Sequence, residues 1–448
     1  MNLNIKNSIK EYKNNIKEHT TSIKETPILK PSSYKIAITG LSRAGKTVFI
    51  TSLIDQLLHR DKIPFVTDKK SFRVELEAPS VGTKRFDYYT LIDRIKKEHI
   101  WPKGTDEITS IKLKVERKRS SLLKGSAFTI ELIDYPGEWL LDLSLINLSF
   151  KQWCQKTKKW LQDIDEPESR EYLELISKEM SNGELIVRKY KELLNVLRDR
   201  NYTFLIPGRF VMPSDLDNDP LLGFAPIEHL EASYSTEFEE KYKKYVEDIV
   251  KNIQLEYFRG FDRQIILVDV IKALQNGHKC YEDMRRGLDT IVSLYDHKKH
   301  SFLKKLFTPT IKKVILAAPK CDLLSASQHQ NYKELLHQMT KEYKENLEFN
   351  NIKASSHIFA SLKCTQTVKR KYEGMILSSI RGIDPVSKEL KDHYPGEMPP
   401  SFPKYDEWKI EDYNYKEVLP PKKEYRVDEA LDHTNMDEII NELLGDIL

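Results

Sequence analysis

Cysteine is scarce. The chain has four, Cys154, Cys280, Cys321 and Cys364, spread over 448 residues with no CxxC spacing. That argues against a zinc site or a disulfide framework and fits a reducing compartment. An excess of either charge is also missing: 72 Lys and Arg stand against 68 Asp and Glu, a net +4. A protein that coats nucleic acid needs a strongly basic face, so no specific nucleic-acid partner is expected. No run approaches the ~18 apolar residues that span a bilayer. The opening MNLNIKNSIKEYKNN has no apolar leader core. What is present is 40% hydrophobic and 10% aromatic residues, enough to bury a sizeable core. The expectation is a folded, cytoplasmic chain of mixed class, long enough for two to four domains of about 100–200 residues.

Hydrophobic period divides the chain. Residues 1–33 read as an amphipathic helix, with Ile5, Ile9, Tyr12 and Ile16 at helical spacing, followed by a Pro-containing linker. Tyr34–Thr39 alternates as a strand, and Lys46 to about His59 reads as a buried helix. Residues 60–106 look irregular and polar. Ile108–Lys118 and Phe128–Asp134 alternate around a Gly-containing turn, which predicts an antiparallel hairpin. Helical patterns at 139–163, 167–200 and 229–257, broken by a Pro/Gly/Asp loop at 207–226, predict an all-helical insertion over 139–260. Gln264–Asp269, Val314–Ala318 and Ser356–Ala360 read as strands, with a helix over about 328–348. Strands alternating with helices over 34–138 and 261–384 indicate a doubly wound α/β domain with a mostly parallel sheet and one antiparallel hairpin. Residues 385–448 form a Pro-rich extension ending in an acidic amphipathic helix over 428–447.

Gly40-Leu-Ser-Arg-Ala-Gly-Lys-Thr47 matches G-x-x-x-x-G-K-[ST] between a strand and a helix, the context of a phosphate-binding loop. Its glycines let backbone N–H groups face phosphates, and the helix N-terminus adds partial positive charge. Gly40, Ser42, Arg43, Ala44, Gly45, Lys46, Thr47 and Val48 are the nucleotide-binding candidates. Lys46 is expected to reach the β- and γ-phosphates, and the Thr47 hydroxyl to bind Mg²⁺. Arg43 reads as a nucleotide neighbour. Asp134-Tyr-Pro-Gly137 ends the hairpin: Asp134 is placed to hold the metal, and Gly137 to offer its N–H to a γ-phosphate. Glu138 stands where many GTPases have the Gln that orients water; a structural role suits it equally. In the segment Trp101-Pro-Lys-Gly-Thr105, Thr105 is the candidate switch threonine for metal and catalysis, with Thr83 and Thr90 as competitors. Pro319-Lys-Cys-Asp322 follows a strand where a guanine-reading N/T-K-x-D belongs. Asp322 can accept from guanine N1–H and the 2-amino group, and Lys320 can lie along the base; helix capping is the plainer role for Asp322. Ser361 and Leu362, in Ala360-Ser-Leu-Lys363, sit where backbone N–H would meet guanine O6.

The phosphate loop, hairpin and D-x-x-G order is that of Ras-like GTPases. From about residue 34 onward the chain resembles the YcjX family of stress-associated, Ras-like P-loop GTPases of bacteria. The resemblance rests on GLSRAGKTVFITSLIDQLLHR (40–60), WPKGT, DYPGEWLLDL (134–143), PGRFVMPSDL (207–216), RQIILVDVIKALQNG (263–277), KKLFTPTIKKVILAAPKCD (304–322) and YRVDEALDH (425–433). It implies GTP and GDP binding, slow hydrolysis, a helical domain inserted after the second switch, and a link to envelope or heat stress. A protein effector is expected to act through that insertion. Pro319 departs from the usual family Thr and keeps an ATPase or relaxed-specificity nucleotidase open; Glu138 keeps open a scaffold that holds nucleotide and hardly hydrolyses it. Residues 297–313 carry six lysines and no acid, and the N-terminal helix is amphipathic. Both admit peripheral contact with an inner membrane, although a solvated face and self-packing are the commoner outcomes.

Overall fold

The computed structural model describes residues 32–41, 44–59, 63, 72–79, 83–104, 107–117, 127–178, 182–253, 260–295, 311–372 and 374–448. The expectations on the N-terminal helix, on Ser42, Arg43 and Thr105, and on most of the lysine-rich 297–313 segment lie outside these residues.

The strands obey the period of two that the sequence shows. In β1 (Ser32–Gly40), Ile36 and Ile38 enter one core and Ala37 the opposite one. β6 (Arg263–Leu267) and β7 (Lys313–Ala318) repeat this, with Ile265 and Ile315 on the first side and Ile266 and Leu316 on the second. Burying such a side chain stabilises by about 1.5–3 kcal/mol each. β1, β6, β7 and β8 (Lys353–Ile358) pair in parallel, with Ile38 beside Ile265 and Ile265 beside Ile315. β2 (Phe72–Glu77), β4 (Thr109–Arg117) and β5 (Ala127–Asp134) pair antiparallel, and a two-residue β3 (Lys84–Arg85) joins β4. The order is β2-β4-β5-β1-β6-β7-β8.

On the first face lie α1 (Lys46–His59), α2 (Tyr88–Lys96) and the last helix, α11 (Met436–Leu444). The second face carries α9 (Gly277–Ser293) and α10 (His329–Phe349). Short α8 (Val270–Gln275) follows β6. Between β5 and β6 run α3 (Gly137–Asp142), α4 (Phe150–Ile164), α5 (Pro167–Ser177), α6 (Gly183–Asp199) and α7 (Ser235–Lys244). Their centre is aromatic: Trp153 stacks on Tyr242 at 5.3 Å and meets Phe224 at 5.4 Å. This core is continuous with the second face of the sheet, and Ser33–Leu448 is one compact unit. Among the described residues no helix is long and apolar enough to cross a membrane.

The structure corrects several expectations. The stretch read as irregular holds β2, β3 and α2. β2 is an edge strand whose charges face outward, and α2 is only nine residues long, capped by the Asp87 carboxylate. The helix read over 139–163 is two, because the chain turns through a 3₁₀ segment, Leu143–Asn147, before Ser149 opens α4 with a capping box. A second sheet, β9 (Gln366–Tyr372), β10 (Met375–Ile383) and β11 (Leu390–His393), is also new; β9 carries only Val368 and Tyr372 among polar and charged residues, so no apolar alternation marks it. The last helix begins eight residues later than 428. The backbone before it is engaged elsewhere: Leu431 N–H donates to Asp55 (2.7 Å), its carbonyl accepts from Gln56 (2.7 Å), and Thr434 pairs with Ala360. The buried Asp55 carboxylate also accepts from Lys96 (2.8 Å) and Tyr88 (3.0 Å), so α1, α2 and the tail share one anchor.

Candidate functional site

The described end of the Gly40–Thr47 segment packs tightly on its neighbours. A Cβ on Gly40 would stand 2.8 Å from the Leu267 Cβ and 3.2 Å from that of Ala44. Gly45 has φ +82°, which favours glycine, and its carbonyl accepts from Phe49 N–H to start the α1 ladder. Lys46 folds back so that Nζ donates to the Gly40 carbonyl at 3.3 Å. Thr47 is buried in the first turn of α1, which has no acidic residue to compete for its free N–H groups. This loop is suited to an anion.

The D-x-x-G segment lies directly against it. Asp134 is the buried last residue of β5, and Gly137 opens α3. A Cβ on Gly137 would sit 2.1 Å from the Gly40 carbonyl oxygen, so the two backbones touch. The chain then passes under the loop after α6. Glu138 is buried, and a Cβ on Gly208 would lie 2.4 Å from the Glu138 carbonyl oxygen. Arg209 lies 3.4 Å above the Trp139 ring, and the Trp139 indole N–H donates to the Met212 carbonyl at 3.1 Å. Asp142 accepts from Gly208 N–H (2.7 Å) and from the Tyr245 hydroxyl (2.6 Å). Movement of α3 would therefore be felt by the helices between β5 and β6.

Asp142 carries a pH dependence. Burial pushes its carboxyl from 3.8 up to about 7, against the opposing hydrogen bonds from Tyr245, Gly208 and Arg209. In the fold it keeps a proton that the unfolded chain has lost. Its stabilising contribution is therefore full below about pH 4 and lost as pH rises through about 7. Between pH 5 and 7.5 that loss is about 2 kcal/mol. Asp142→Asn cannot titrate, so urea unfolding of the variant relative to the native chain should improve by that amount over this range. Parallel curves for the two proteins would refute the assignment.

A cavity of about 280 Å³ brings together the phosphate loop and the residues read from sequence as base contacts. Gly45 and Val48 line one side, Pro319, Lys320, Asp322 and Leu323 another, and Ala360, Ser361, Leu362 and Cys364 a third. Asp322 is buried; its Oδ2 accepts from Cys364 N–H at 2.9 Å and its carbonyl accepts from the Thr365 hydroxyl. Burial raises its pKa to about 6. It faces the cavity inside a 3₁₀ turn, Cys321–Leu323, rather than at a helix N-cap, so capping is not its role. The Ser361 carbonyl accepts from Ser52 of α1 at 2.6 Å, which fixes the third wall to the helix that bears the phosphate loop.

Three contributors, Asp269, Glu417 and Val418, were not marked by local spacing. Lys320 has φ +66°, and its Nζ pairs with Asp269 at 2.8 Å. Burial lowers the Lys320 pKa, but the adjacent Asp269 carboxylate outweighs this and the net shift is upward. Trp101 and Pro102 roof the cavity together with Glu417 and Val418 from the C-terminal extension. The Trp101 indole N–H donates to the Val418 carbonyl at 2.7 Å, joining residues 317 positions apart. WPKGT drew notice as a switch segment; nothing in the tail's composition signals a roof.

Comparison with known proteins places the chain in a family. The "Ras-like GTPase YcjX" of Shewanella oneidensis is 28% identical and aligns over 92% of this chain and 94% of its own length. That of Escherichia coli K12 is 27% identical over 92% and 96% respectively. The model of the YcjX-like family, DUF463, matches residues 34–448, a span that runs from β1 to the C-terminal extension that roofs the cavity. The chain belongs to the YcjX-like family.

Proposed function

We propose that the protein is a guanine-nucleotide switch that hydrolyses GTP to GDP. The observation that carries this is the single cavity in which Gly45 and Val48 meet Asp322 and the Ser361–Leu362 loop. A triphosphate on the loop would direct its base towards a buried carboxylate, which accepts from the N1–H and 2-amino group of guanine; adenine offers no such pair of donors. The relatives' printed name, Ras-like GTPase, supports the same reading. Thr47 and Asp134 are hard oxygen donors of the kind Mg²⁺ takes, and with Thr105 they would hold the ion that neutralises phosphate charge. Gly137 would sense the γ-phosphate. The clamp of Gly208, Arg209 and Tyr245 on α3 makes the helices between β5 and β6 the element that responds, and a protein effector would read them there. The family resemblance adds a cytoplasmic, stress-associated setting.

Pro319 favours a second reading, a nucleotidase with relaxed base choice, because its side chain cannot hydrogen-bond to the phosphate loop. Calorimetric titration separates the two. GTP and GDP are expected to bind at least tenfold more tightly than ATP and ADP. Asp322→Asn keeps the acceptor for Cys364 N–H but sets an amide donor against the guanine donors, and should weaken GDP by about 100-fold. Equal binding of adenine and guanine nucleotides would overturn the guanine reading. Single-turnover hydrolysis no faster than the spontaneous rate would leave a nucleotide-holding scaffold instead of a switch.

A further inference from the structure

The hairpin of β9 and β10 presents two consecutive exposed apolar residues at its tip. Its tip residues Met375 and Ile376 are 62% and 71% exposed. The turn contains Gly374 at φ +89° with nothing within 4 Å of where a Cβ would be. Tyr372 pairs across the strands with Met375, and Lys371 with Ile376. The cations begin level with Ile376. Lys369 and Lys371 are exposed on the face that carries Ile376, and Lys369 donates to Ser378 at 2.8 Å. Arg370, on the other face, shares Asp392 with Arg381. Over 366–383 the sequence has four Lys and Arg and one acid, Glu373.

We propose that this hairpin is a contact for an anionic lipid surface. At ~3.3 Å per residue, Lys369 sits about 10 Å behind the tip. Met375 leads, Lys371 stands level with Ile376 and Lys369 farther back, so an apolar tip followed by cations matches the order of hydrocarbon and phosphate in a bilayer. Tyr372 stands level with Met375 and adds an amphipathic ring to the tip. A tip of two side chains is too small for a protein interface, which needs about 800 Å² per partner. β9 starts two residues after Cys364, whose N–H holds Asp322, so the contact would be built onto the wall of the base cavity.

The test is sedimentation of the full chain with phosphatidylcholine vesicles, with and without phosphatidylglycerol. Binding is expected only with phosphatidylglycerol and should weaken with salt. Met375→Asp with Ile376→Asp, and separately Lys369→Glu with Lys371→Glu, should each cut partitioning at least tenfold while GDP affinity is unchanged. In Ile376→Trp, indole emission should move to the blue on adding the anionic vesicles. Three outcomes would overturn the proposal: no binding by the native chain, hairpin variants that bind like it, or an indole emission that does not move. Concentration-dependent dimerisation lost in the same variants, without vesicle binding, would assign the tip to a second copy and also overturn it.

Discussion

Lys46→Ala is expected to abolish measurable binding of GTP and GDP while leaving the fold intact. The side chain is half-buried, and the hydrogen bond it makes among the described residues is to the neutral Gly40 carbonyl at 3.3 Å. Losing that contact alters stability by about 1 kcal/mol at most. Against a di- or triphosphate the balance is different. The ammonium exchanges one weak acceptor for charged oxygens at the N-terminus of α1, beside the Gly40 backbone that Gly137 abuts. Truncating one partner of a buried charge pair costs about 3–5 kcal/mol, which corresponds to roughly 10²- to 4 × 10³-fold in affinity. Calorimetry with the variant and thermal unfolding without nucleotide together check this. Nucleotide affinity within tenfold of the native chain would show that Lys46 does not reach phosphate.

The parts of the site that were legible in the sequence are local ones. The phosphate loop could be found because eight consecutive residues carry its chemistry, and α1 begins and ends where the unbroken apolar stretch does, at Lys46 and His59. The central strands β6 and β7 were legible because both faces are buried and unbroken runs of Ile, Val, Leu and Ala result. Asp322 was placed by its position after β7. What the sequence concealed depends on contacts across long separations. Trp101 and Val418 lie 317 residues apart, and Asp55 and Leu431 lie 376 apart. Neither tail residue has a type or neighbourhood that marks it for the roof of a cavity or for a buried carboxylate. The β9–β11 sheet escaped notice for another reason. Its outer faces are solvated, so cations and hydroxyls stand where a buried strand would have branched apolar residues. Asp269 looked like the polar end of an apolar strand; only the fold turns it towards Lys320.

Gly137→Ala is expected to damage stability and nucleotide binding together, through one methyl group. Its Cβ would lie 2.1 Å from the Gly40 oxygen and 2.8 Å from the Gly40 carbon. No flexible side chain can yield, because both partners are backbone. Gly40 cannot retreat either, since its own Cα faces Leu267 at the end of β6. Nor can α3 lift freely: Gly208 presses on the next residue, and Asp142 is held by Gly208 and Tyr245. The strain must be taken up by moving the start of the phosphate loop or by prising α3 from the helices above it. Overpacking of this kind costs about 3 kcal/mol or more, which in a chain of this size lowers the unfolding temperature by about 3–4 °C. A displaced Gly40 also misaligns the loop, so GDP affinity should fall at least tenfold. Gly104→Ala serves as the reference, because Gly104 is exposed with nothing within 4 Å of an added Cβ and should tolerate the methyl group without either loss. If Gly137→Ala unfolds and binds GDP like the Gly104 variant, the close approach of the two backbones does not exist in solution, and the coupling of α3 to the phosphate loop goes with it.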